Sequence, residues 1–129
     1  MQRLAIIAAA ASLWAGAGAA EPLLGTWLTS KDDNGHSGLI EVTRCGEALC
    51  GTLIKSYSPN GNVIASDHTG RKILSETVPV GGGAYEGRIY SPDRDRTYSS
   101  KLELRGDRLE VSGCVMFICR DGGTWKRVE

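Results

Sequence analysis

Past residue 20, apolar and polar side chains alternate in short runs. Arg96–Leu104 is the clearest case. Tyr98, Ser100, Leu102 and Leu104 fall on one side of an extended chain, and Thr97, Ser99, Lys101 and Glu103 on the other. A period of two marks a strand with one face buried and one solvated. Residues 24–28, 38–45, 50–57, 84–90, 108–114 and 119–128 read the same way. Asn34-Gly35, Ser58–Gly61, Ser91–Asp95 and Arg105–Arg108 supply the turns between them. Residues 62–80 are the least regular, with one or two short strands expected around a turn at His68–Gly70. Gly81-Gly82-Gly83 reads as a flexible break. No run holds a 3.6-residue apolar period, so the pattern predicts an all-β chain of eight to ten short antiparallel strands. Short connections make sequential strands neighbours. A small up-and-down β-barrel leaves no exposed edge, and a two-sheet β-sandwich is the alternative.

The first twenty residues follow a different rule. Met1-Gln2-Arg3 precedes an uncharged apolar run, Leu4 to Trp14, and then the small residues Ala15 to Ala20. This is the layout of a secretory signal peptide cleaved after Ala19 or Ala20. The run is shorter than the about 20 residues that a membrane span needs, so no stable membrane anchor is expected. Removing residues 1–20 from the 129 leaves 109, enough for a single β-barrel domain over 21–129. Arg3 leaves with the leader, taking the balance from 15 basic and 15 acidic residues to 14 and 15, a net −1. Near-neutrality without a basic cluster argues against nucleic acid and against an anionic membrane surface, since both demand clustered Lys and Arg.

Export changes how the four cysteines read. An even number in a small exported domain is a disulfide framework before it is a metal clamp. The spacing C-x4-C is loose for zinc and differs from the redox C-x-x-C. Three pairings exist. Each C-x4-C flanks a four-residue loop between two strand-like runs, Gly46–Leu49 in one and Val115–Ile118 in the other. That favours Cys45–Cys50 and Cys114–Cys119, at the separation a bridge across a hairpin mouth requires.

The chain gives little purchase for catalysis. His36 and His68 stand in turns without a nucleophile or a metal-ligand spacing, so no catalytic residue, metal or cofactor is expected. Asp32-Asp33-Asn34-Gly35 lacks the ligand repeat of a calcium loop. Trp27, Tyr98, Trp125 and Arg127 are the candidates for one end of the barrel interior, either lining a ligand cavity or filling the barrel solid. Val115, Met116, Phe117 and Ile118 form an apolar run held inside the second cysteine loop. It either plugs the barrel mouth or stands exposed as a contact loop.

Gly25-Thr26-Trp27 resembles the G-x-W signature of lipocalins and the wider calycin superfamily, in which an Arg on the last strand packs over the Trp. Arg127 is the matching residue. More specifically, the chain resembles the bacterial exported family called domain of unknown function 2147. The matching pieces are G-T-W at 25–27, C-G-E-A-L-C-G at 45–51, Y-E-G-R-I-Y-S-P at 85–92, Tyr98, Gly113-Cys114 and W-K-R at 125–127. The resemblance implies a calycin-like barrel and an exported, periplasmic or secreted location. With the alternating strands and the aromatic candidates, it leads to a non-enzymatic barrel binding a small apolar or amphipathic ligand. The other reading is a protein-interaction module, such as an inhibitor of an envelope hydrolase.

Overall fold

The computed structural model describes residues 20–129. The expected leader, up to its last residue, lies outside them. Nine strands follow in order: β1 Gly25–Leu28, β2 Ser37–Cys45, β3 Ala48–Tyr57, β4 Val63–Ile64, β5 Lys72–Gly81, β6 Ala84–Ser91, β7 Arg96–Arg105, β8 Arg108–Val115 and β9 Ile118–Arg127. Antiparallel pairing runs β1-β2-β3-β5-β6-β7-β8-β9 and returns to β1, closing an eight-stranded up-and-down barrel. β4 is a two-residue addition on β3. Among the described residues no helix is long and apolar enough to cross a membrane.

The period-two pattern works as expected on β7, where Ser100 and Leu102 are buried and Ser99, Lys101 and Glu103 exposed. It fails on β5. The region expected to be least regular holds a ten-residue strand whose alternation is broken by a bulge. Glu76 has φ 50°, and the register with β6 jumps between Ser75 and Val78. Two residues of β5 then face one of β6, so Leu74 and Thr77 are both buried although three positions apart. The facing residue is Gly87, whose missing Cβ makes room for the bulged backbone.

Three turns are tighter than the sequence reading. Gly82 and Gly83, with φ of 64° and 85°, are the two-residue turn between β5 and β6 and no flexible break. Both C-x4-C loops are also two-residue hairpins. Cys45 pairs with Ala48 around Gly46-Glu47, and Val115 with Ile118 around Met116-Phe117. The strands extend into the expected loops because strand pairing satisfies backbone groups that a four-residue loop leaves to solvent. Cys45 is bonded to Cys50 and Cys114 to Cys119.

The two barrel ends differ. At one end lie the turns β2–β3, β5–β6 and β7–β8, together with the chain entering β1. Leu23, Trp27, Leu49, Tyr85, Leu102 and Leu109 fill this half, each at most 4% exposed. The opposite end carries the longer β1–β2 and β3–β5 connections, the β6–β7 turn and the β8–β9 hairpin.

Candidate functional site

The filled end is sealed by the N-terminal segment and by one cation. Trp27 and Arg127 are directly opposed across β1 and β9. The Trp27 indole N–H donates to the Leu23 carbonyl at 3.0 Å. The Arg127 guanidinium lies 4.4 Å from the Trp27 ring centroid, a cation–π contact. Its nitrogens donate to the carbonyls of Leu24 at 2.9 Å and Pro22 at 2.6 Å. A Cβ at Gly25 would run into the Glu129 carbonyl and come within 2.8 Å of the same guanidinium. The three elements Gly25, Trp27 and Arg127 therefore form one closure. The Tyr85 hydroxyl donates to the Glu21 carboxylate, tying the entering chain to β6. Burial, then that hydrogen bond, pushes the phenol above its ordinary value.

The other end is open. A cavity of about 1250 Å³ runs in from solvent. Its apolar base is made by Ile40, Leu53, Ile73, Ile89, Val111 and Trp125 from six strands. Tyr98 and Gly113 line it at the level of β7 and β8. The expectation that Trp27, Tyr98, Trp125 and Arg127 share one end is corrected by this geometry. Tyr98 and Trp125 line the cavity, whereas Trp27 and Arg127 belong to the seal. The reason is register: Trp27 is opposite Arg127 at the end of β9, and Trp125 stands two residues nearer the mouth on the same strand. The barrel is thus solid in one half and hollow in the other.

The rim is polar and charged. Lys31, Arg94, Arg96 and Arg120 stand there with Asp32, Asp33, Asp93 and Asp121. Asp32 accepts the backbone N–H groups of Asn34 and His36 at 2.8 and 2.9 Å, which folds the β1–β2 loop back on itself. Asp93, in the β6–β7 turn, has its carboxyl raised above the ordinary value by burial and then by the Asp32 and Asp33 carboxylates. Tyr90 donates to Asp95 at 2.7 Å, which raises its phenol, and the Arg71 guanidinium lies 3.7 Å from its ring centroid. His36 and His68 also border the mouth. Pattern reading missed Tyr90, Arg71 and the isoleucines of the base, because segments up to 50 residues apart, from Ile40 to Tyr90, bring them together and no local motif marks them. Among the described residues no three metal-ligating side chains converge on a common point.

The run Val115–Ile118 does not plug the mouth. It is exposed at the tip of the β8–β9 hairpin, Met116 at 90% and Phe117 at 100%. The Cys114–Cys119 bridge spans two directly paired residues at its base, and Cys114 is buried. A two-residue turn has no slack to fold these side chains back into the barrel.

The sequence profile of a bacterial family described as "Uncharacterized protein conserved in bacteria (DUF2147)" matches residues 25–127. Among solved structures, the protein HP1028 of Helicobacter pylori, described as belonging to the lipocalin family, superposes with a TM-score of 0.65. The identity is 18% and 83% of each chain is covered, so the likeness is one of fold. No curated protein matches the chain.

Proposed function

The chain belongs to the bacterial DUF2147 family, whose description assigns no activity, and from the geometry of its open end we propose that it binds a small apolar or amphipathic molecule. The observation that carries this is the half-hollow barrel: a cavity of about 1250 Å³, open to solvent, with an apolar base and a charged rim. Small-molecule sites are about 300–1,000 Å³, mostly apolar, with a few placed polar groups. Eight-stranded barrels of lipocalin type have room for one such ligand. An apolar body rests on Ile40, Val111 and Trp125, and a polar group stays at the rim with Tyr98 and the arginines. The role we propose is non-enzymatic, with the charged groups at the rim orienting the ligand's polar end. The two disulfides go with an oxidising compartment. We place the protein, after loss of its leader, in the periplasm or outside the cell.

Gly113→Leu tests this reading. A Cβ at Gly113 meets Tyr98 Cβ at 3.5 Å and Ile89 Cγ2 at 3.7 Å, ordinary contacts, and the rest of the leucine fills the cavity. The probe is anilinonaphthalene sulfonate, an apolar aromatic with one anionic group. Residues 20–129 should bind it saturably, and Gly113→Leu should weaken binding about tenfold with the fold intact. Equal binding by both proteins, or no saturable binding by either, refutes the site.

A further inference from the structure

The two disulfide hairpins are an internal comparison. Both are C-x4-C, both turn in two residues, and both have a positive φ at the first turn position. At the sealed end that position is Gly46 (φ 68°), followed by the exposed Glu47, which is ordinary turn chemistry. At the open end it is Met116 (φ 57°), followed by Phe117. A side chain with a Cβ is strained there, and burying neither residue forgoes the hydrophobic contribution of the two. Backbone and solvation both favour the Gly-Glu pair, so the Met-Phe tip answers to something outside the folded chain.

We propose that this tip docks the barrel mouth onto a lipid bilayer surface, placing the cavity against the source of its ligand; the role of the docking rests on the ligand-binding reading above. Four features support it. The tip is a convex finger of four consecutive apolar residues, Val115 to Ile118, between 58% and 100% exposed. A stable protein interface takes roughly 20–30 residues from each side, which a two-residue-wide finger does not provide, whereas insertion into a bilayer surface requires only depth. Depth matches: at about 3.3 Å per residue, Arg120 lies roughly 7 Å behind Ile118 on β9. An apolar element sinks about 5–10 Å into the headgroup and acyl boundary, which leaves Arg120 at the phosphates.

Cations stand at the level of the lipid phosphates. Arg96 on the neighbouring β7 and Arg94 in the turn before it border the same mouth. No acidic side chain among the described residues lies within ion-pair distance of Arg94, Arg96 or Arg120. Asp32, Asp33, Asp93 and Asp121 share the rim, Asp121 accepting the Gly123 backbone N–H and Asp32 those of Asn34 and His36, so the arginines set the depth and the apolar tip carries the docking. Finally, Val115, Met116 and Ile118 also line the cavity entrance, so the docking finger and the ligand site are continuous.

The test uses residues 20–129, which contain the whole barrel, and Phe117→Glu, which places the acidic residue of the sealed-end turn at the tip. Phe117 is fully exposed and stands outside the cavity lining, so the fold and the ligand site stay intact. Co-sedimentation is measured with vesicles of phosphatidylethanolamine and phosphatidylglycerol, and with phosphatidylcholine alone. The wild type should partition onto the vesicles, and Phe117→Glu should lose about tenfold. The variant should still bind anilinonaphthalene sulfonate, while Gly113→Leu should still bind vesicles, so failure of docking and failure of the ligand site are told apart. Absence of vesicle binding by the wild type overturns the proposal, as does equal binding by the variant. Self-association of the wild type that the variant abolishes, without vesicle binding, assigns the tip to a second copy and also overturns it.

Discussion

Gly87→Ala is the substitution whose outcome the geometry constrains most closely. A Cβ at Gly87 would lie 2.7 Å from the Ser75 carbonyl oxygen, 2.7 Å from Thr77 Cα and 2.8 Å from the Glu76 carbonyl oxygen, against 3.4 Å for an ordinary contact. All three atoms are backbone, so no rotamer change relieves the clash. The strand they belong to, β5, is paired with β3 on one side and β6 on the other, and cannot move without breaking a ladder. Overpacking against yielding side chains costs about 1–3 kcal/mol; against clamped backbone, the upper figure of about 3 kcal/mol applies. For a domain of this size that is a fall of roughly 12–20 °C in Tm. Urea and thermal unfolding of the single variant measure it. Gly113→Ala is the matched control, because Cβ there meets only ordinary contacts and its Tm should stay within a few degrees of wild type. A Gly87→Ala protein as stable as Gly113→Ala would refute the bulge of β5 as described, and with it the account of why Leu74 and Thr77 are both buried.

Two further outcomes follow from buried polar groups. The Ser100 Oγ is buried without a hydrogen-bond partner, so Ser100→Ala should stabilise the barrel by about 1 kcal/mol in urea unfolding; a loss of that size would reveal a bound water satisfying the hydroxyl. Asp93 is easier to protonate in the folded chain than in the unfolded one, because its carboxyl is raised from 3.8 by burial and by Asp32 and Asp33. Stability from this group is therefore present below pH 3.8 and is lost as pH rises through the raised value. Asp93→Asn should raise Tm at neutral pH and change nothing below 3.8, and a pH-independent effect in a Tm series would contradict the assignment.

How much was legible beforehand depended on how local the determining physics was. The alternation on β7, the paired cysteines and the turn residues are set within a few positions, and each predicted its element. The bulge at Glu76 was not legible, because a run that reads Ile73-Leu74-Ser75-Glu76-Thr77 has no period until Gly87 opposite it is known. Glycine at 87 is only interpretable once the strand it faces is known to be bulged.

The same division runs through the functional site. Sequence by itself determined an all-β chain and the two stapled hairpins, since alternation, cysteine spacing and turn chemistry act along the chain, while the pairing of Trp27 with Arg127 was implied only by the resemblance to lipocalins. Which end of the barrel is sealed and which is hollow came only from tertiary structure. That depends on cross-strand register: it sets Trp27 against Arg127 at one end and brings Tyr98, Trp125 and the isoleucines of distant strands around a common void. The tip at Met116-Phe117 divides likewise. Its composition is in the sequence, but whether four apolar residues plug a mouth or project from it was decided by a two-residue turn too short to bend them inward.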